Sequence, residues 1–322
     1  MPATNLIRLK SFTQLAQNVD MATNAFIDYS KAKNLSPRTI EFYECRLQAF
    51  RHYITEIAPD TTPEGVTPAL IREFVMLTRQ NTSVSTANHN LDVLRNFFGF
   101  LVKDGLLAEN PALVVDKLRQ RKTIIETFTE EQAQALLATC DKSFCGIRDK
   151  ALMLLLLDTG IRVNELATLE IESVSWSEQL ILVLGKGNKE RQVPFGLGVR
   201  KALNAYLTRR GEVPNQPLLF VTQYGETMDR CNIRLMFRRK AKQAGVTGVR
   251  VSAHTFRHTF AKRWLLNGGD AFSLQKILGH TTMEMVRNYV NLAQEDVKTL
   301  HRRFSPVDGM KQAKTTGRKR IR

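Results

Sequence analysis

Four short segments in the second half of the sequence contain side chains suited to phosphate chemistry. Residues 159–166 read TGIRVNEL, where Gly160 is predicted to end one helix and Arg162 to lie at the start of the next. A guanidinium in that position can bind a phosphate through two parallel hydrogen bonds. The same arginine could instead form a surface ion pair with Glu165, three residues later. The motif alone is more typical of the ion pair.

The second segment is a glycine-rich turn, residues 185–191, which reads GKGNKER. Glycines allow the backbone to approach a ligand closely. A lysine on such a turn, Lys186 or Lys189, could deliver a proton or a positive charge. A solvated turn without a chemical role is the simpler interpretation of this motif alone.

The remaining two segments contain histidines and a tyrosine. In HTFRH, His254 and Arg257 are three positions apart and would lie on the same face of a helix. Further along, His280 follows a glycine near a predicted helix start, and Tyr289 lies nine residues later. Taken singly, the histidines could be structural, and a lone tyrosine in a helix is usually a core residue.

Together, these segments supply the groups needed for phosphoryl transfer without a metal ion. Arginines can stabilise the charge on the non-bridging oxygens, a task that metal ions largely perform in kinases. A tyrosine hydroxyl, with an ordinary pKa of about 10, becomes a nucleophile when cationic groups favour the phenolate. The sequence contains no acidic cluster with metal-ligand spacing, no Walker loop and no H-E-x-x-H motif. We therefore expect neither a metal nor a cofactor. A covalent phosphotyrosine would conserve the phosphodiester energy, so resealing would need no ATP.

These segments require a second unit made of helices and one hairpin. A capping box is predicted at Thr129–Gln132, followed by a helix through Ala138. Residues 147–157, which are apolar throughout from Ala151 onwards, predict a central helix. Residues 180–184 and 190–195 predict the two strands of a β-hairpin around the glycine turn. Further helices are predicted at 199–209 and 229–244, and four more up to residue 303.

The first third of the chain predicts a bundle of about four helices. Ser36–Pro37 is a typical helix start, with a hydroxyl cap before a proline. A helix predicted from Phe12 to Tyr29 is one of these four. The apolar side chains recur at helical spacing in three stripes: Tyr43, Leu47, Phe50 and Ile54; Leu70, Phe74 and Leu77; Leu91, Leu94, Phe98 and Leu101.

Length and charge limit the class of protein. The 322 residues suffice for two domains, and the 47 Lys and Arg against 31 Asp and Glu give a net charge of +16. A cation excess of this size predicts a polyanionic partner, first nucleic acid and second an anionic membrane surface. A membrane span is not expected, because the longest apolar run, Ala151 to Leu157, is much shorter than the roughly 20 residues required. The N-terminus lacks the apolar core of a signal peptide. The four cysteines have no C-x-x-C pairing and predict reduced packing residues in a cytoplasmic protein.

The ordered set of motifs resembles the tyrosine recombinase (phage integrase) family over nearly the whole chain. The resemblance rests on TGIRVNEL, GKGNKER, HTFRH, LGH and a tyrosine nine residues after that histidine. It implies a mainly α fold with a small β-sheet in a two-domain architecture. The implied parts are a helical, SAM-like core-binding domain at 15–105, a linker at 106–123, an α+β catalytic domain at 124–303 and a basic tail at 304–322.

The resemblance also implies how the phosphate would be held. Arg162 would be the first phosphate-clamping arginine and Arg257 the second. His280 would form a hydrogen bond with the scissile phosphate. Glu165 would orient the site without taking part in the chemistry.

The same resemblance implies how protons would move. Tyr289 would attack the phosphate, giving a 3′-phosphotyrosyl link and a free 5′-hydroxyl. Lys186, rather than Lys189, would protonate the departing 5′-oxygen. His254 would assist proton transfer around the nucleophile. For His258, apart from the resemblance, we favour a structural role around Arg257 over a phosphate contact.

The function implied is site-specific recombination of double-stranded DNA. In the family, the two domains clamp the duplex, a homotetramer assembles on two recombination sites, and strands are exchanged through a Holliday junction. Residues 296–304 would dock on a neighbouring protomer or pack on their own domain. An accessory protein or a partner recombinase could also take part.

Several alternatives remain open from the sequence. We favour integration, excision or resolution of a mobile element, and a Xer-type chromosome or plasmid dimer resolvase is the alternative. A catalytically silent DNA-binding protein and a type IB topoisomerase fit less well. The target site is not encoded in a readable motif, because phosphate contacts carry no base information.

Overall fold

The computed structural model describes residues 18–120, 125–185, 190–280, 282–292, 301 and 305–307. The chain divides into two compact units, Met1–Thr123 and Ile124–Arg322. Helices dominate both units, and the second also contains a small β-sheet, so the predicted fold class is confirmed. Within the described residues, no helix is both long and apolar enough to cross a membrane.

The first unit is a bundle of helices that begin at polar capping side chains. The side chains of Asn18, Ser36, Thr67 and Ser83 each accept a hydrogen bond from a backbone N–H in the first turn that follows. Such caps satisfy amide groups that have no partner within the helix. The predicted start at Ser36–Pro37 is confirmed. The helices are α1 (Val19–Ala32), α2 (Pro37–Ile57), α3 (Pro68–Asn81) and α4 (Val84–Lys103).

Two details of the first unit differ from the sequence prediction. The apolar face of α3 is formed by Ile71, Phe74 and Val75, whereas Leu77 is 43% exposed. The predicted stripe was therefore wrong at Leu70 and Leu77. The buried face consists of Ile71 and the residues three and four positions after it. The predicted helix from Phe12 to Tyr29 is not continuous, because Asn18 is extended and caps a helix that starts at Val19; residues 12–17 lie outside the described part of the chain.

Part of the predicted linker packs on the first unit. Ala112 and Val115 are buried in the same core as α1–α4. Arg95 on α4 donates hydrogen bonds to the carbonyls of both residues, at 3.2 and 2.6 Å. The backbone N–H of Leu118 binds the side chain of Asn88 at 2.9 Å. The chain therefore leaves the surface of this unit only after Leu118.

The second unit contains the predicted hairpin and the predicted helices. The sheet is antiparallel with strand order β1-β2-β3, and β1 was not predicted because it has only two residues. Of the four helices expected before residue 303, three are described, while residues 293–300 and 302–304 lie outside the described part. The elements are α5 (Glu130–Ala138), α6 (Phe144–Thr159), α7 (Val163–Ala167), β1 (Val174–Ser175), β2 (Leu180–Leu184), β3 (Glu190–Pro194), α8 (Leu197–Arg210), α9 (Arg230–Ala244), α10 (Ala253–Leu266), α11 (Ala271–Leu278) and α12 (Met283–Leu292).

Helix α6 forms the centre of the second unit. It packs against both α8 and α10, and Leu152, Leu155 and Leu156 are fully buried. The predicted capping box at Thr129–Gln132 is present at the start of α5. Because α6 packs against helices on more than one side, the position of its C-terminal end at Thr159 is fixed by the core. The residues that follow Thr159 start from this fixed point.

Candidate active site

Two glycines at helix ends shape the site. Gly160 ends α6 in the left-handed region (φ 60°), and Arg162 lies directly before α7, as predicted. Gly279 also adopts the left-handed region (φ 63°) and ends α11. This glycine was expected near a helix start, but its N–H closes the last turn of α11 onto the carbonyls of Gln275 and Lys276. The next helix begins only at Met283.

The end of α11 holds three arginines. The last carbonyls of a helix have no partner within it and lie at the negative end of the helix dipole. Three consecutive carbonyls at this end therefore accept hydrogen bonds from arginines on three different segments. The pairs are Arg191 Nε to the carbonyl of Ile277 (2.8 Å), Arg257 Nη2 to that of Leu278 (2.7 Å) and Arg162 Nη2 to that of Gly279 (3.1 Å).

Glu165 joins two of these arginines. Its carboxylate, with a side chain 3% exposed, accepts two hydrogen bonds from Arg191 (2.7 and 2.8 Å) and one from Arg162 Nη1 (2.9 Å). It also accepts the backbone N–H of Arg162 at 2.7 Å. Burial opposes its ionisation, but these hydrogen bonds outweigh burial and hold the pKa of Glu165 below its usual value near 4.5. The ion pair considered from the sequence is therefore present, with its carboxylate buried and its arginine partly exposed.

The cluster has an excess of positive charge. The cluster contains three guanidinium groups and the single carboxylate of Glu165, which binds two of them. Arg162 is the most accessible of the three, with 36% of its side chain exposed against 13% for Arg191. Burial, followed by repulsion from Arg162, lowers the pKa of Arg257 to about 10, so that Arg257 stays charged at neutral pH. Among the described residues, no group of three or more His, Cys, Asp or Glu side chains could hold a metal ion. The arrangement is suited to binding an anion.

His280 lies against the second arginine. Its Nε2 is 2.8 Å from Arg257 Nη2, and a guanidinium can only donate. His280 therefore accepts at Nε2 and holds its proton at Nδ1, which is buried without a partner among the described residues. Burial, followed by the charge of Arg257, lowers the pKa of His280 to about 4. The imidazole is neutral at physiological pH.

Tyr289 lies beside this cluster, and its hydroxyl is within hydrogen-bond distance of a histidine. The residue is 4% exposed, and its ring stacks on that of His280 with 6.2 Å between centroids and 9° between planes. The hydroxyl is 2.8 Å from Nδ1 of His258. Burial raises the pKa of Tyr289, while the charges of Arg257 and Arg162 oppose the rise.

The structure brings together four of the six predicted site residues: Arg162, Arg257, His280 and Tyr289. His254 is exposed on α10, and its ring stacks on His258 at 6.4 Å instead of contacting the cluster. Lys186 lies outside the described residues, as does Lys189.

Two residues of the site were missed by the sequence analysis. Arg191 was part of the GKGNKER motif but was given no role, because a cation at a strand start carries no signal of its own. His258 was assigned to the fold, although it lies one helical turn after His254 and therefore shares its face. Their contacts with Glu165 and Tyr289 cross between elements, which spacing along the chain does not reveal.

Known proteins match this chain over most of its length. The sequence profile of the Phage integrase family matches residues 126–296, and that of the Phage integrase, N-terminal SAM-like domain matches residues 24–105. The chain is 32% identical over 290 residues to the tyrosine recombinase XerC of Listeria monocytogenes serotype 4a, covering 87% of this chain and 96% of that protein. The chain belongs to the phage integrase family.

This membership confirms the enzyme class predicted from the motifs, a tyrosine-type site-specific recombinase. The recombinase is also 29% identical over 305 residues to the tyrosine recombinase XerC of Chlamydia caviae, covering 88% of this chain and 97% of that protein. Solved structures confirm the fold. A XerH recombinase bound to a palindromic difH substrate aligns with a TM-score of 0.72 at 20% identity over 88% of this chain and 84% of its own. A lambda integrase dimer bound to a COC′ core site aligns with a TM-score of 0.73 at 16% identity, covering 92% of this chain and 83% of that one.

Proposed function

We propose that this recombinase cleaves and rejoins double-stranded DNA through a 3′-phosphotyrosyl link on Tyr289. The observation that carries the proposal is the position of this tyrosine. Its buried ring stacks on His280, and His280 is hydrogen-bonded to Arg257 in a cluster with excess positive charge. A nucleophile beside an anion site is the arrangement that attack on a phosphodiester requires.

The proposed roles follow from how each side chain is held. Arg162, the more exposed arginine, binds a non-bridging oxygen first. Arg257 binds the phosphate by exchanging one of its hydrogen bonds, either that to Leu278 or that to His280. His280 is then free to turn a ring N–H towards the phosphate. Glu165 keeps the first arginine in place without touching DNA.

The transfer itself needs no energy source. The phenolic oxygen of Tyr289 forms a bond to phosphorus as the bond to the 5′-oxygen breaks, and the 5′-oxygen takes a proton. We assign that proton to Lys186 on the strength of its place in the family motif. The phosphotyrosine retains the energy of the phosphodiester, so a 5′-hydroxyl can reverse the step and reseal a strand.

The partner proposed is a pair of double-stranded DNA recombination sites. The XerH and lambda integrase structures contain DNA, and the net charge of +16 fits a polyanion. We propose a core-binding domain at 15–105, a linker at 106–123, a catalytic domain at 124–303 and a basic tail at 304–322. Four such chains would assemble on two sites in the cytoplasm, with residues 296–304 docking between protomers and an accessory or partner recombinase as a further component.

Two biological roles fit this chemistry. Integration, excision or resolution of a mobile element is the first, and the basic tail fits it. Resolution of chromosome or plasmid dimers is the second, and the similarity to XerC proteins over most of the chain favours it. Sequencing of recombination junctions in cells separates them: excised circles indicate the first role, and monomers resolved from dimers indicate the second.

The proposed function is tested with Tyr289→Phe. Binding sites are first selected from a random duplex library with the full-length protein, and the selected duplex is then nicked near the cleavage position. The nick lets the 5′-hydroxyl fragment leave, so a covalent complex accumulates. We expect a slow band on a denaturing gel with the wild type, no such band with Tyr289→Phe, and equal binding by both. Covalent attachment by the variant would refute the assignment.

A further inference from the structure

The carboxylate of Glu165 has its hydrogen-bonding positions filled by two arginines. Its Oε1 accepts from Arg191 Nη1 at 2.7 Å and from Arg162 Nη1 at 2.9 Å. Its Oε2 accepts from Arg191 Nη2 at 2.8 Å and from the backbone N–H of Arg162 at 2.7 Å. A carboxylate offers about four lone-pair sites. No site therefore remains for the other end of the Arg162 guanidinium.

The two arginines differ in how many of their donors are used within the protein. Arg191 uses Nε on the carbonyl of Ile277 and both terminal nitrogens on Glu165, and its side chain is 13% exposed. Arg162 gives one terminal nitrogen to Glu165 and the other to the carbonyl of Gly279, and its side chain is 36% exposed. Since a guanidinium has five N–H groups, Arg162 keeps donors for a phosphate.

The position of Arg191 is defined by the fold as well as by Glu165. Its side chain reaches from β3 to the end of α11, and these two elements pack together. A Cβ atom at Gly279 would lie 3.1 Å from Cδ and Nε of Arg191 and 3.2 Å from its Cζ. Arg191 therefore lies directly against the glycine whose carbonyl holds Arg162.

We propose that Arg191 is a positioning residue that keeps Arg162 available to the phosphate by filling both oxygens of Glu165. The proposal rests on the proposed function, in which Arg162 binds a non-bridging oxygen. Side chains three positions apart at a helix start can pair directly, and a guanidinium binds a carboxylate best through two parallel hydrogen bonds. Without Arg191, Arg162 would turn both ends of its fork onto Glu165. Its donors would then face the protein instead of the DNA.

Two simpler roles for Arg191 make different predictions. If Arg191 only adds positive charge to the site, Arg191→Lys should cleave like the wild type, since lysine keeps the charge but lacks the planar fork. If Arg191 is only a brace for the fold, an equally destabilising substitution elsewhere should slow cleavage as much.

Arg148→Met is the matched control for the brace. Arg148 is 5% exposed and donates two hydrogen bonds, from Nε and Nη2, to the buried carboxylate of Asp149 (3.0 and 2.7 Å). Methionine at position 148 or 191 therefore leaves a buried carboxylate without its forked partner. Arg148 lies about three turns before the end of α6 at Thr159, away from the site.

The experiment measures single-turnover formation of the covalent complex on the selected, nicked duplex, at a temperature well below the melting temperature of each variant. We expect Arg191→Met to slow this step by about 10²-fold, the effect of a misplaced catalytic group, with DNA binding close to that of the wild type. Arg191→Lys should lose nearly as much, and Arg148→Met should keep the wild-type rate. Wild-type cleavage by Arg191→Lys would overturn the proposal in favour of charge, and equal slowing by Arg148→Met would leave only a brace.

Removal of the competing carboxylate tests the mechanism directly. In the double variant Arg191→Met with Glu165→Gln, the neutral amide no longer draws the fork of Arg162 away from the phosphate. We expect this double variant to cleave faster than Arg191→Met alone. Two unrelated losses would make it slower, and that result would contradict action through Glu165.

A measurement without DNA separates this proposal from failure of the proposed function. A crystal structure of Arg191→Met, or of Arg191→Lys if the methionine variant does not fold, gives the partners of Arg162. We expect two side-chain hydrogen bonds from Arg162 to Glu165 and loss of the contact with the carbonyl of Gly279. An unmoved Arg162 would overturn the proposal whatever the rates. Absence of wild-type cleavage together with the expected turn of Arg162 would count against the proposed function alone.

Discussion

Glu165 shows how a single buried carboxylate can fix two arginines at once. It accepts both ends of the Arg191 guanidinium and also binds the side chain and the backbone of Arg162. A guanidinium is planar and forked, so two parallel hydrogen bonds define its orientation as well as its position. Arg191 thereby ties strand β3 to Arg162 through Glu165.

Replacement of Arg191 by methionine tests this tie. It leaves Glu165 buried with one ionic partner, and we expect a loss of about 3–5 kcal/mol in the free energy of unfolding at neutral pH. The pKa of Glu165 is depressed in the folded protein, so the stabilisation is present above the usual pKa near 4.5 and is lost as pH falls below it. The difference between wild type and Arg191→Met should therefore shrink in acid. Urea unfolding of both proteins at neutral pH and at a pH below 4.5 measures this difference in stability.

The control for this change is Arg209→Met, an exposed arginine near the end of α8. We expect it to alter stability by no more than about 0.5 kcal/mol. Equal effects of the two substitutions would mean that Arg191 is an ordinary surface cation.

The two neutral histidines of the site make stability depend on pH in the opposite sense to a salt-bridged histidine. His258 and His280 each have a folded pKa of about 4, against a usual value of 6.5. Between pH 4 and 6.5 the unfolded chain binds more protons than the folded one. The free energy of unfolding is therefore not reduced by these histidines above pH 6.5, and it falls as the pH falls towards 4. Each histidine contributes a slope of up to about 1.4 kcal/mol per pH unit in this window.

The measurement is urea unfolding in steps across this pH window with the wild type and His258→Asn. The variant lacks one of the two titrating rings, so its stability should decline less steeply. Parallel curves would show that His258 is not held neutral by the fold.

At the scale of elements, the site is assembled from helix ends. Helix α6 stops at Gly160, α11 stops at Gly279, and the carbonyls freed at these ends accept the guanidinium groups of the site. A Cβ atom at Gly160 would lie 2.5 Å from a ring carbon of Phe260 and 2.9 Å from a methyl of Leu278. The close approach of α6 to α10 and α11 therefore depends on this glycine.

Gly160→Ala and Gly245→Ala form a matched pair at this scale. Both glycines end helices with nearly equal φ, 60° and 62°, but a Cβ at Gly245 meets nothing within 4 Å. We expect Gly245→Ala to cost about 1–2 kcal/mol, the strain of the left-handed region. Gly160→Ala should cost about 1–3 kcal/mol more, because it also overpacks the core. Thermal unfolding of both variants gives the difference, and equal losses would exclude a packing role for Gly160.

The elements themselves were largely predictable from local signals. The cap at Ser36, the capping box at Thr129 and the apolar run inside α6 each act within a few residues of chain, and the structure confirms all three. Strand β1 was missed because two residues provide no periodicity. The face of α3 was misplaced because polar and apolar residues alternate too closely there for spacing alone to choose Ile71 over Leu77.

At the scale of the whole molecule, charge governs the encounter with DNA. The net charge of +16 favours association with any duplex, whereas only base contacts distinguish one site from another. We expect the logarithm of the binding constant to fall linearly with the logarithm of salt concentration, with a slope of about −0.9 for each phosphate neutralised. Fluorescence anisotropy with Tyr289→Phe, which should bind without cleaving, measures this slope.

An unrelated duplex of equal length is the control for that titration. The selected site and the unrelated duplex should have similar slopes, because the phosphates are the same, but different affinities at every salt concentration. A slope near zero for the unrelated duplex would contradict the electrostatic origin of binding.

The sequence by itself determined the types of most elements, several helix starts, the charge and the ordered motifs that identify the family. All of these depend on neighbours within a few residues or on composition. The tertiary structure decided which groups meet. His258 and Tyr289 are 31 positions apart, and Arg191 and Glu165 are 26 apart. Such contacts depend on how helices and strands pack, since spacing along a helix fixes only the face on which a side chain lies and not the partner that it meets.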